Sequence, residues 1–155
     1  MESTDLKNKI INAYRIEKYA ELALLLLFLD ENENDFRSLA AKLVLESENQ
    51  KDMIENILIK MGLGDYINIK INPSYTKGTI SKLNKSKLLI TLLNNEILAM
   101  NNYLELFLTT SKEMIKDYFE NEDEYFKTFK EMSYEEFDHA RRILNYIYGI
   151  DESFH

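Results

Sequence analysis

One proline and four glycines are all that this chain of 155 residues contains. Sheets and irregular loops need frequent turns, which those two residues supply, so their scarcity favours long uninterrupted helices. Apolar residues recur at helical spacing in four blocks, which makes the expected fold class all-α. The first block predicts a helix from about Thr4 to Asp30, with a stripe through Leu6, Ile10, Ala13, Ala20, Leu24 and Phe28. The polar string from Asp30 to Asp35 buries nothing and reads as a turn, with Asn34 or Asp35 capping the second helix. That helix carries Phe36, Leu39, Leu43, Met53, Ile54, Ile57 and Met61 and stops at Gly62-Leu63-Gly64.

The region from Asp65 to about Lys82 is the only one poor in helix signals. It holds Pro73 and Gly78, and the alternation of Ile67, Ile69 and Ile71 suggests a short strand-like piece within an extended connection. The third helix is expected from Lys82–Lys85 onward, through Leu89, Leu92, Leu93, Met100, Tyr103 and Phe107. The fourth is expected from about Glu122 to Gly149. The order is hairpin (4–62), connection (63–82), hairpin (83–149) within one domain of 1–155. A link of about 20 residues can travel the length of a bundle, so an antiparallel four-helix bundle with one long crossover is expected.

Composition narrows the function classes. With 45% hydrophobic and 30% charged residues, the chain reads as a soluble globular protein. The lack of cysteine rules out disulfides, thiolate metal sites and cysteine nucleophiles. Leu22 to Leu29 is the longest apolar run, about half of what spans a bilayer, so no membrane association is expected. No charged-then-apolar leader opens the chain, and a cytoplasmic location is the expectation. A net charge of -8 argues against nucleic acid as a partner. Lys77, Lys82, Lys85 and Lys87 read better as solvated lysines than as an anion site.

The informative residues of a bundle are the carboxylates on its apolar stripes. At about 100° per residue, Glu136 falls about 40° from the centre of the fourth stripe and His139 about 100°, at the edge toward a neighbour. On the second helix Glu46 and Asn49 take the same two placements, with Gln50 beside Asn49, whereas Glu48 points outward. On the third helix Glu96 lies within about 20° of its stripe and Glu105 points out. The first helix offers Glu17 and Glu21. Glu17 is preferred, because Glu17-x-x-Ala20-x-x-x-Leu24 mirrors Glu96-x-x-Ala99-x-x-x-Tyr103. Any one of these acids alone reads better as a bundle-end acid or a protonated core acid. One on each helix, with a histidine, reads better as a metal site, since cations resolve the repulsion among buried carboxylates. Oxygen ligands with one imidazole suit iron, manganese or zinc better than copper.

Two segments, Asn95-Glu96-Ile97-Leu98-Ala99-Met100-Asn101-Asn102-Tyr103 and Glu135-Glu136-Phe137-Asp138-His139-Ala140, resemble metal-binding helices of the ferritin-like superfamily of bacterioferritins, rubrerythrins and related di-iron carboxylate proteins. Such bundles offer one Glu from each of two helices and Glu-x-x-His from each of the other two. The resemblance implies one or two iron ions held by Glu17, Glu46, Glu96, Glu136 and His139, with Tyr103 oriented toward them. It implies oxidation of ferrous ion or an organic substrate with dioxygen or peroxide, and a homo-oligomer. The sequence departs from the family at Asn49, where a histidine is expected, which weakens or removes one metal position.

Spacing departs as well: Glu17 and Glu46 are 29 positions apart, Glu96 and Glu136 are 40 apart. About ten extra residues must therefore be absorbed between Thr109 and Glu122, where Thr110-Ser111 can end one helix and cap another short one. The alternative is a metal-free bundle of the same fold, used as a binding or structural module. Tyr146, Tyr148 and Phe154 are candidates for an oligomer contact or for ordinary packing at the end of the last helix.

Overall fold

The computed structural model describes residues 3–21, 34–68 and 85–149, without the side chains of 19–21 and 85. The end of the first predicted helix, most of the turn after it, the connection from Ile69 through Pro73 to Lys82, and Phe154 lie outside the described residues. Helix α1 spans Ser3–Arg15 and runs on as a π-helical segment, Ile16–Glu21. Helix α2 spans Asn34–Lys60, α3 Lys85–Thr109, the short α4 Lys112–Ile115, and α5 Asp123–Tyr148. The chain is all-helical, and no strand occurs among the described residues.

Each long helix turns a seam inward whose members alternate three and four residues apart, the 3.5-residue period of helices that pack nearly side by side. On α2 it runs Phe36, Ala40, Leu43, Ser47, Gln50, Ile54 and Ile57, and Met61 continues it just past the helix end, all buried. On α3 it runs Leu89, Leu92, Glu96, Ala99, Tyr103, Leu106, and on α5 Tyr125, Phe129, Met132, Glu136, His139, Ile143. The seam of α1 is Leu6, Ile10 and Ala13, and Glu17 follows it in the π-helical segment.

Contacts fix the helix directions. Thr110 bonds Tyr125, Tyr103 stacks near Phe129, and Leu89 clusters with Ile143, so α3 and α5 run in opposite senses. Lys60 pairs with Glu124 while Phe36 meets Tyr146, so α2 also opposes α5. Helices α2 and α3 therefore run the same way.

Helix α2 ends as the sequence predicts. Gly62 adopts φ 74°, Gly62 N–H donates to Ile59 O at 3.1 Å and Leu63 N–H to Leu58 O at 2.8 Å. This is the paired closure that absorbs the last carbonyls of a helix, and it needs a left-handed residue. Just beyond it, Gly64–Asn68 forms a 3₁₀ turn rather than the start of a strand. The alternation that suggested a strand fails at Ile67. Its side chain packs on the core and its carbonyl accepts from Lys18 Nζ at 3.0 Å, which ties the turn to the π-helical segment.

The extra residues of the second hairpin are placed where the spacing requires. Helix α3 stops at Thr109, Ser111 precedes α4, and α5 starts at Asp123. Ser111 holds the capping position with extended backbone, but its hydroxyl makes no capping bond. Ile115 and Phe119 from this insertion are buried with Tyr125, closing one end of the core. Tyr146 packs on Phe36 at 5.5 Å between ring centroids, and Tyr148 is exposed. The outward sides of α3 and α5 also expose Ile97, Leu104, Phe137 and Leu144. No helix among the described residues is long and apolar enough to cross a membrane.

Candidate metal centre

The apolar interior falls into two clusters, one around Leu6, Ile54, Tyr103 and Phe129, the other around Phe36, Leu43, Leu92 and Ile143. Between Leu43 and Ile54 on α2 the seam carries Ser47 and Gln50. Between Leu92 and Ala99 on α3 it carries Glu96, and between Met132 and Ile143 on α5 it carries Glu136 and His139. Glu17, Ser47, Gln50, Glu96, Glu136 and His139 are all fully buried. They form one polar layer across the interior.

His139, expected at the edge of its stripe, is instead enclosed, and its two ring nitrogens meet different acids. Nδ1 lies 3.1 Å from Glu96 Oε2 and 3.6 Å from Glu136 Oε2. Nε2 closes on Glu46 from the opposite side of the ring. Glu46 is 30% exposed and lies 3.9 Å from Arg142, which in turn holds Asp138 at 2.7 Å. Glu46 thus stands at the rim, behind the imidazole, rather than beside Glu96 and Glu136.

Glu17 sits in the π-helical segment, which packs against both α2 and α3. Such one-turn widenings of a helix recur at functional sites. The Tyr103 hydroxyl donates to Glu17 Oε1 at 2.6 Å. This sets the tyrosine against an interior acid. The side chain of Glu21 is outside the described residues.

Electrostatics of the layer follow from its burial. Desolvation, then the negative charges of Glu96 and Glu17, hold the Glu136 carboxyl well above its ordinary pKa. Neither Glu136 oxygen makes a hydrogen bond, and 3.6 Å to His139 is an electrostatic contact only. For His139, burial works against the charged ring, but Glu136, Glu46 and Glu96 outweigh it and push the pKa up to about 12. The same hydrogen bond to His139 lowers the pKa of Glu46, against its own partial burial.

One atom each from Glu96, Glu136 and His139 can be chosen so that all three lie within 4.8 Å of one another. Ligand atoms about 2.1 Å from a shared ion are about 3 Å apart when adjacent and about 4.2 Å when opposite, so this trio fits one transition-metal ion with little movement. Nδ1 is the nitrogen that faces that position. Glu46 on Nε2 fits the supporting carboxylate that commonly fixes the tautomer and orientation of a ligating histidine.

The sequence pattern predicts Asn49 as the counterpart of His139. That is corrected here: Asn49 is exposed, and the fully buried position is Gln50, with Ser47 three residues before it. The cause is the half-buried Leu39 and Met53, which pull the centre of the apolar stripe away from the strict seam. The alternation of three and four from Phe36 was the signal that would have found Ser47 and Gln50. Compared with protein-family models, curated proteins and solved structures, the chain matches none.

Proposed function

We propose that the chain is a ferritin-like four-helix bundle with one long crossover, whose polar layer binds a divalent transition-metal ion through Glu96, Glu136 and His139. The observation that carries this reading is the convergence of those three buried side chains, with Glu136 lacking any hydrogen-bond partner. A buried carboxyl group without a hydrogen-bond partner is a costly feature that a cation relieves. Two oxygens and one imidazole suit iron, manganese or zinc. With iron bound, the site supports oxidation of ferrous ion or an organic substrate by dioxygen or peroxide. Electrons for turnover come from outside, since a chain without cysteine carries no thiolate redox centre. Assembly with further copies belongs to the same reading and is supported by the exposed Ile97, Leu104, Phe137 and Leu144. A cytoplasmic location belongs to it as well.

One observation favours a second reading, a metal-free scaffold. Both nitrogens of His139 already have acidic partners, so a proton can take the place of the metal. Metal analysis after purification without chelator separates the two. The metal reading expects about one transition-metal ion per chain, lost in Glu136→Ala and His139→Ala. Substoichiometric metal that neither substitution changes supports the scaffold instead.

A further inference from the structure

We infer that the polar layer takes a single divalent ion per chain, on the α3/α5 side, and that Ser47 and Gln50 make the α2 side a neutral seat that no second ion occupies. This deepens the metal reading above and rests on it. Ser47 and Gln50 on α2 repeat the spacing of Glu136 and His139 on α5, one side chain and the third after it, on the inward seam. They share the layer, because Glu46, next to Ser47, closes on His139. All four are fully buried. The chemistry of the two pairs is nevertheless opposite. Where α5 presents a carboxylate and an imidazole, α2 presents a hydroxyl and a carboxamide, neutral groups that are weak ligands for iron, manganese or zinc.

Ser47 Oγ and both amide atoms of Gln50 make no hydrogen bond, although Gln50 lies near Glu135. Buried polar atoms in that condition call for a partner, and a water molecule meets the need of a hydroxyl and an amide without bringing charge. A second divalent ion is opposed by charge as well. Two such ions a few ångströms apart repel with four times the energy of two unit charges, and paired-metal sites offset this with anionic ligands on both. The buried acid Glu17, whose π-helical segment packs against α2 as well as α3, already accepts from Tyr103. Glu46 is turned to the far nitrogen of His139.

The test is a manganese(II) titration of the full chain stripped of metal. Equilibrium dialysis counts bound ions, and electron paramagnetic resonance distinguishes an isolated ion from a coupled pair. Expected are one ion with an isolated-ion spectrum in the wild type, and the same count in Ser47→Ala/Gln50→Leu. Ser47→Glu/Gln50→His, which completes the α2 side, is expected to bind two. Two ions in the wild type, or loss of an ion from Ser47→Ala/Gln50→Leu, overturn the inference while leaving metal binding intact. A folded Ser47→Glu/Gln50→His variant that still binds one ion also overturns it. If that variant does not fold, the wild type and Ser47→Ala/Gln50→Leu decide. No ion in the wild type overturns the metal reading itself, and this inference with it.

Discussion

His139 has acids on both sides of its ring, and that decides what the layer does with protons when no metal is bound. Its folded pKa of about 12 lies above the ordinary value of 6.5, and that of Glu136 lies well above 4.5. For groups raised in this way, the stabilising protonation is fully present below the unfolded pKa and is lost as pH rises through the folded one. Metal-free protein should therefore lose stability steadily above neutral pH, by about 1.4 kcal/mol per pH unit for each retained proton. Glu46 acts with the opposite sign. Its lowered pKa gives stability that is present above 4.5 and fades below it as the carboxylate takes up a proton. Maximum stability of the metal-free form is expected on the mildly acidic side, between those limits. Urea unfolding at several pH values checks this, with Glu136→Gln as the control expected to flatten the slope. A stability maximum at pH 9 would contradict it.

At the scale of elements, the ends of the helices are more local in origin than the face each buries. Gly62 is held in the left-handed region with open space around its missing Cβ, so only backbone strain opposes a side chain there. Gly62→Ala is expected to destabilise the fold by about 1–2 kcal/mol without touching the polar layer, as thermal unfolding and metal binding can show separately. The stop at Gly62 and the end at Gly149 were legible in the sequence, because each rests on residues within one turn of the event, whereas the break after Thr109 was legible from the unequal spacing of the acids. Glu96 and Glu136 were also legible as interior acids from their apolar stripes, and Glu17 was preferred to Glu21 because its segment mirrors that of Glu96. Gln50 was not. Its burial depends on a 3.5-residue seam sustained by tertiary packing along the whole of α2, and a fixed rotation of about 100° per residue drifts from such a seam. The pairing of Glu46 with the far nitrogen of His139 was hidden for a different reason. It depends on the relative depth of two helices, which no single helix encodes. The widening of α1 at Ile16–Glu21 likewise has no local cause in proline or glycine.

For the molecule as a whole, the polar layer separates two apolar clusters that would otherwise be continuous. Replacing buried charged groups by well-packed apolar ones is often neutral or stabilising by about 1–4 kcal/mol, so stability alone gives little reason for such a layer. The metal binding proposed above would give one, with a separate place for each acid: Glu96 and Glu136 toward the ion, Glu46 behind His139, Glu17 under Tyr103. The most direct measurement is anomalous diffraction from crystals of the chain grown with manganese(II). The account predicts one peak per chain, about 2.0–2.3 Å from His139 Nδ1 and from an oxygen of both Glu96 and Glu136. An empty layer, or a peak on the Nε2 side of His139 beside Glu46, would contradict it.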